Sequence, residues 1–331
     1  MDASETFREQ SDSSRVEFAD KSATAGGGSA RFAGSQVTGS QVAANVVAPE
    51  APAKVSPQHH PLLRRLYGPI SESLVDVEST LRGEMQSPYE DVAVLLRHGV
   101  QLGGKRLRPA IHLLFAEALG GAQPQNVVIG AVLEMVHTAT LVHDDVLDDA
   151  VTRRHVPTIN AQWNNHTSIL LGDYLFAQSF RLAATLDNTR TCRWVGEAAR
   201  LVCEGELRQV LGRDDLEMDR STYFEIIRGK TAELCRVACS LAAAEADCSD
   251  EQIATFSDYG DSLGIAFQIA DDFLDLWGED EAVGKTLGTD LEQGKMTLPV
   301  IRLLETAAEE DRRRIIDILR GPGANRVAEI R

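Results

Sequence analysis

The sequence predicts an all-α fold, a single large antiparallel helical bundle, and three observations carry that expectation. Apolar residues recur at three- and four-residue spacing from Pro61 onward. Hydrophobic residues make up 43% of the chain and aromatics only 5%, an Ala- and Leu-rich balance that suits packed helices better than a β-sandwich. No two segments read as paired strands, and no repeat recurs at solenoid period. The 331 residues allow two ordinary domains or one large helical one. The sustained helical period favours the second.

Taken in order, residues 1–57 are rich in Ala, Gly, Ser, Thr, Val and Gln and include Ala25-Gly26-Gly27-Gly28-Ser29. They hold neither helical nor strand period and are expected to form a disordered tail. Leu74, Val77 and Leu81 then make one helical stripe, and Val92, Leu95, Leu96 and Val100 a second. Longer stripes run from Val128 to Val142, Ile169 to Leu186, Tyr223 to Ala244 and Ile253 to Leu276. Breaks fall at Gly103-Gly104, Gly120-Gly121, Pro157, Gly212 to Asp215, Gly278 to Gly288 and Pro299. Residues 312–320 read as a helix that Gly321-Pro322-Gly323 ends, and a further helix starts near Asn325. The chain stops at Arg331, before that helix could bury a face. The expectation is therefore a frayed last helix, or a sequence shorter than the complete protein.

Composition excludes several functions. Lys plus Arg is 33 and Asp plus Glu is 50, a net charge of −17. Sequence-independent nucleic-acid binding needs the opposite balance, so no nucleic-acid partner is expected. A polybasic membrane anchor is missing too. Cys192, Cys203, Cys235, Cys239 and Cys248 form no CxxC pair, which argues against a disulfide framework or a structural zinc site. Cys235 and Cys239, one turn apart, read as small buried hydrophobes. No run approaches the roughly 18 apolar residues of a membrane span, and no signal-peptide pattern opens the chain. No stable membrane anchor is expected, and the cytoplasm is the expected compartment.

Two segments carry the same motif. Leu141-Val142-His143-Asp144-Asp145-Val146-Leu147-Asp148-Asp149 contains DDxxD, and so does Ile269-Ala270-Asp271-Asp272-Phe273-Leu274-Asp275-Leu276. In each, the first and last Asp are four apart and project from one helix face, where like charges destabilise by a few tenths of a kcal/mol. One copy in so acidic a chain reads readily as a solvated acidic face. Two copies, both inside strongly apolar helices, read as cation sites. Oxygen ligands that leave coordination positions open suit Mg2+ bound jointly with substrate phosphates.

The complement is basic. Gly103-Gly104-Lys105-Arg106-Leu107-Arg108-Pro109 sets three positive charges behind a glycine pair, a pattern suited to diphosphate oxygens. Arg153-Arg154 follows the first acidic motif by five residues, and Lys230-Thr231, Lys285 and Lys295 recur downstream. Basic groups beside metal-type carboxylates in an acidic protein fit a polyanion bound with Mg2+. A rival reading, a di-metal helix bundle, draws on the ExxH spacing of Glu134-Met135-Val136-His137. It needs a second ExxH on another helix, and the sequence offers only this one.

The ordered set GGKRLRP, HTATLVHDDVLD followed by RR, LLGDYL, GKTAEL, FQIADDFLDL and GKTLGTDLEQGKMTLP resembles trans-type polyprenyl diphosphate synthases, from about Leu102 to Leu304. Within that family it is most similar to the medium- and long-chain enzymes of quinone side chains. The resemblance implies an all-helical fold around a central cavity, with 58–331 as the catalytic domain, usually in a homodimer. It implies Mg2+-dependent condensation of an allylic diphosphate with isopentenyl diphosphate, using two to three ions per active site. By the same resemblance, Lys105, Arg108, His137 and Arg154 hold isopentenyl diphosphate. Asp144 and Asp148 are the first metal ligands, supported by Asp145, and Asp271, Asp272 and Asp275 form the second cluster. Arg153, Lys230, Thr231, Gln268 and Lys285 contact the allylic diphosphate, joined by Lys295.

Chain length would be set below the first motif by Ala139 and Thr140, a level that short-chain relatives close with an aromatic ring. His155-Val156 stands where the family commonly has Gly-Lys, so one rim cation is expected to be missing. The alternatives are a short-chain geranylgeranyl or farnesyl diphosphate synthase, or a non-catalytic partner subunit of a heteromeric synthase. The second would be free to lose an Asp motif, and this chain keeps both.

Overall fold

Helix α4 (Pro124–Leu147) is the element around which the others pack. Pro124 sits at its first turn, and Gln123 and Asn126 form a reciprocal cap that satisfies end N–H groups. Ile129, Val132, Leu133, Met135, Val136, Ala139 and Val142 are all fully buried on it. The computed structural model describes residues 65–154, 156–278 and 287–330. The tail expected over 1–57 lies outside them.

Before α4 come α1 (Ser71–Glu84), α2 (Glu90–Gln101) and α3 (Leu107–Ala118), and α1 and α3 pack directly on it. After it come the single-turn α5 (Ile159–Gln162) and α6 (Asn165–Ala183), the latter running alongside α4. Next are α7 (Arg190–Leu211), α8 (Arg220–Ile227), α9 (Glu233–Glu245) and the 28-residue α10 (Asp250–Trp277). The C-terminal part holds α11 (Thr289–Glu292), α12 (Leu298–Thr306), α13 (Glu309–Arg320) and α14 (Gly323–Ile330). The all-α expectation holds. Among the described residues the only strands are a two-residue ladder, β1 (Thr152–Arg153) against β2 (Val156–Pro157), which folds the chain back behind α4.

A main core surrounds α4, and a second joins Tyr223 and Ile227 of α8 to Leu276, Leu291, Val300, Ile301 and Leu319. Cys235 and Cys239 are buried, as expected. Between α8 and α9 the helix widens into a π-type turn over Arg228–Ala232. Gly229 and Gly205 meet there, and a Cβ on either would press into the other segment's backbone. That close approach brings Lys230 onto α7. Widened turns of this kind recur at functional sites.

Two sequence expectations need correction. One stretch does approach a membrane span by length and composition. Within Pro124–Leu147 an 18-residue window reaches a mean hydropathy of 1.3, but 67% of it is buried among neighbouring helices, as befits a core helix. The last helix also buries a face. Arg326 of α14 is only 9% exposed, and Val327 packs on Gly288. The sequence stripe missed this because the buried contact is made by an arginine.

Candidate active site

Both acidic motifs fall at helix C-termini. Asp144 and Asp145 lie in the last turn of α4, and Asp148 caps it, its N–H donating to the Asp144 carbonyl at 2.8 Å. Asp271, Asp272 and Asp275 occupy the last two turns of α10, which ends at Trp277. A helix C-terminus carries a partial negative charge, so the carboxylates in the last turn, Asp144, Asp145 and Asp275, are disfavoured by about 0.3–1 kcal/mol on top of like-charge repulsion.

The first cluster draws on cations from distant segments. Arg153 Nε and Nη2 lie 2.9 and 2.8 Å from Asp145 Oδ1, while Oδ2 is buried and accepts no hydrogen bond. Lys295 Nζ and Arg213 Nη2 lie 3.1 and 3.4 Å from Asp148 Oδ1. Burial pushes the Asp144 carboxyl up to about 6; Lys230 opposes the rise, and Glu206 and Asp148 add to it. Lys230 donates to Glu206 at 2.6 Å and Gln209 at 2.8 Å. Burial alone would lower this ammonium, but Asp144, Glu206 and Asp148 outweigh it and raise it above its ordinary value.

The second cluster is held by a hydrogen-bond series. Thr231 Oγ1 donates to Gln268 Oε1 at 2.7 Å, and Gln268 Nε2 donates to Asp272 Oδ1 at 2.7 Å. Tyr223 OH donates to Asp272 Oδ2 at 2.6 Å. Burial pushes Asp272 up to about 7, even though these two hydrogen bonds favour its charged form. Asp275 accepts from the Asp290 N–H at 3.2 Å and Thr289 Oγ1 at 3.4 Å, at the start of α11. Asp290 in turn pairs with Lys295 at 3.2 Å. Thus α11 and Lys295 join the two motifs: Asp275 to Asp290, Asp290 to Lys295, Lys295 to Asp148.

A group of cations gathers around His137 of α4. Arg108 is buried with its Nε unpartnered. The Arg154 guanidinium lies over Gly104 and donates to the Leu102 carbonyl at 3.0 Å. Burial pushes His137 well below its ordinary value, and Arg108, Arg154, Arg153 and Arg106 push the same way. Lys105 is exposed at the rim. Arg106 is diverted. It adopts left-handed backbone (φ 53°), pairs with Glu78, and lies 2.8 Å from Glu134 Oε1. That pair engages the glutamate of the ExxH spacing and removes the di-metal reading.

Among the described residues no group of three or more His, Cys, Asp or Glu side chains converges to hold a metal unaided. The donor sets nevertheless suit a hard divalent ion: all oxygen, incomplete, and in one case orphaned at Asp145 Oδ2. Thr140 is part-buried, with Oγ1 donating to the His137 carbonyl at 2.8 Å, whereas Ala139 is fully buried. At about 100° per residue the two occupy different faces of α4, and Thr140 shares that of Asp144. Lys285 and His155 lie outside the described residues. Sequence reasoning missed Glu206, Gln209, Arg213, Tyr223, Thr289 and Asp290. Their roles come from tertiary approach, and only the two motifs hinted that such partners must exist.

The polyprenyl synthetase family model matches residues 90–331. The chain is 36% identical over 236 residues to the short chain isoprenyl diphosphate synthase of Methanothermobacter thermautotrophicus, spanning 70% of this chain and 73% of that protein. It is 38% identical over 243 residues to heptaprenyl diphosphate synthase component 2 of Geobacillus stearothermophilus, spanning 73% and 76%. The crystal structure of a decaprenyl diphosphate synthase from Rhodobacter capsulatus superposes with a TM-score of 0.73 at 36% identity, covering 80% of this chain and 84% of that one.

Proposed function

The chain belongs to the polyprenyl synthetase family, and on that premise we propose that it condenses isopentenyl diphosphate with an allylic diphosphate to make an all-trans polyprenyl diphosphate of medium to long chain for a quinone side chain. One observation carries the reading: two carboxylate clusters are joined through Lys295, and a second set of cations, Arg108 and Arg154 among them, gathers around the buried His137. These are two anion sites of different kinds, one suited to a diphosphate that leaves and one to a diphosphate that stays.

Asp144, Asp148 and Asp271 would hold Mg2+, with Asp145, Asp272 and Asp275 supporting them. Bound Mg2+ supplies electrophilic stabilisation of the departing diphosphate. Lys230, Arg153 and Lys295 add fixed positive charge at the same place, with Thr231 and Gln268 beside them, where negative charge develops as the allylic carbon–oxygen bond breaks. Lys105, Arg108, His137 and Arg154 hold isopentenyl diphosphate so that its double bond attacks the allylic carbon. No side chain in these clusters stands out as the base. The released diphosphate takes the proton.

Exposed Ile169 and Leu170 on α6 support a homodimer, since a second copy would cover them. The free cysteines support the cytoplasm, a reducing compartment. Incubating the protein with Mg2+, isopentenyl diphosphate and farnesyl diphosphate, then weighing the products, tests the reading. A ladder extending beyond geranylgeranyl length is expected. A stop at or before that length returns the short-chain alternative, and no product at all returns the partner-subunit one.

A further inference from the structure

Arg326 is a buried cation outside both acidic motifs, yet its bonds lead to both. It lies on α14, and its Nη1 donates to Asp214 Oδ1 at 2.7 Å and to the Leu291 carbonyl at 3.3 Å. Its Nε donates to the Gly321 carbonyl at 3.2 Å. Asp214 and Leu291 belong to two different segments. The first follows α7 and carries Arg213; the second is α11, which leads into Lys295.

The two segments are also fastened to each other. The Asp214 N–H donates to the Gly294 carbonyl at 2.8 Å. Asp214 has left-handed backbone (φ 59°), and so has Gly294 (φ 74°), where an added Cβ would strike the Asp214 carboxylate. On the neighbouring residues, Arg213 and Lys295 both reach Asp148. Gln293 Nε2 donates to the Asp148 carbonyl at 3.2 Å. The start of α11 meanwhile holds Asp275.

We propose that Arg326 is a positioning residue for the metal-binding centre, clamping the Asp214 turn to α11 and thereby fixing the spacing between the first and second Asp motifs. The proposal rests on the prenyl-transfer reading above and extends it to the C-terminal helix. Two clusters that would hold one diphosphate between them need a fixed separation, and outer groups that orient metal ligands commonly change metal affinity about 10–100-fold when removed. Arginine suits the role, because its planar fork serves a carboxylate and carbonyls on different segments together.

The test uses full-length Arg326→Ala, Arg326→Lys and Asp214→Asn, read by hydrogen exchange and by steady-state kinetics. Arg326→Ala should speed exchange over residues 211–216 and 287–296 while leaving 124–140 protected. It should raise the Mg2+ concentration at half-maximal rate about tenfold, with the KM for isopentenyl diphosphate unchanged. Arg326→Lys should fall between it and wild type. If Arg326→Ala does not fold, Asp214→Asn removes the charged acceptor alone and should move both readouts in the same direction. Wild-type exchange in the two segments, or an unchanged Mg2+ requirement beside a merely lower melting temperature, overturns the proposal. A wild-type protein without Mg2+-dependent condensation would instead remove the functional reading, and the exchange measurement would still decide whether Arg326 clamps the segments.

Discussion

Lys295 Nζ stands 3.1 Å from Oδ1 and 3.2 Å from Oδ2 of Asp148, across 147 residues of chain. The lysine side chain is only 7% exposed and also meets Asp290. One ammonium therefore sits between the end of α4 and the loop that grips the end of α10. Removing it takes away fixed positive charge where the allylic diphosphate would bind. Lys295→Met is expected to lower kcat about a hundredfold with the allylic substrate saturating, while circular dichroism stays that of the wild type. An unaltered kcat would assign Lys295 to structure alone.

Asp144→Ala and Asp271→Ala should each reduce turnover by orders of magnitude without lowering the melting temperature. Each removes an oxygen ligand and relieves like-charge repulsion within its motif, and Asp144→Ala also removes a negative charge from the last turn of α4, where it was unfavourable by about 0.3–1 kcal/mol. Mg2+-dependent activity near the wild-type level in either variant would take that cluster out of the active site.

The division of labour between cations gives a kinetic split. Lys105→Ala and Arg108→Ala are expected to raise the KM for isopentenyl diphosphate, because both would hold that substrate. Lys230→Ala is expected to depress kcat, because Lys230 lies beside Asp144 and Glu206, where the leaving group would gain charge. Steady-state kinetics with each substrate varied in turn would reveal the difference. Matching profiles for the two classes would argue for one diphosphate site.

The helical fold was legible because the apolar period is long and rarely interrupted, and the two motifs were legible because the repetition is local in sequence. What joins them was not. Arg106 and Arg108 are equally basic on paper, yet Arg106 turns inward to Glu78 and Glu134 through a left-handed backbone that composition does not announce. Tyr223 becomes a partner of Asp272 only when α8 and α10 pack. Arg326 looked like part of a frayed end, because a buried arginine breaks the apolar pattern that marks a buried face.

His112 offers a stability test remote from the active site. It is fully buried on α3, with Nδ1 2.9 Å from the Ala238 carbonyl and Nε2 3.2 Å from Asn126 Nδ2. Burial lowers it to about 4 from an ordinary 6.5. Above pH 6.5 the imidazole is neutral in both folded and unfolded chains and its pH term is zero. As pH falls from 6.5 toward 4, the unfolded chain takes up a proton that the folded one refuses. Stability should therefore decline across that window by about 3 kcal/mol from this group. Urea unfolding of wild type and His112→Gln at several pH values should show a shallower decline in the variant. Parallel declines would mean that His112 titrates alike in both states.

Product length tests the geometry of α4. Asp144 and Thr140 are four apart and share a face, and Leu133 lies close to the same line, about 16 Å from Asp144 toward the N-terminus at 1.5 Å per residue. Thr140 is part-buried, whereas Ala139 and Leu133 are fully buried. A tail growing from the first motif would pass Thr140 before reaching Leu133, so an aromatic ring at 140 should block it early. Thr140→Phe is expected to shift products to short chains while condensation continues and the fold keeps its stability. Ala139→Phe should shorten products as well, but it must displace packed neighbours and should destabilise by about 1–3 kcal/mol. Mass analysis of the products, alongside thermal melts, separates the two. If both variants made the wild-type product, the channel would not run along this face of α4, and if the wild type stopped at farnesyl or geranylgeranyl length, there would be no long channel to block.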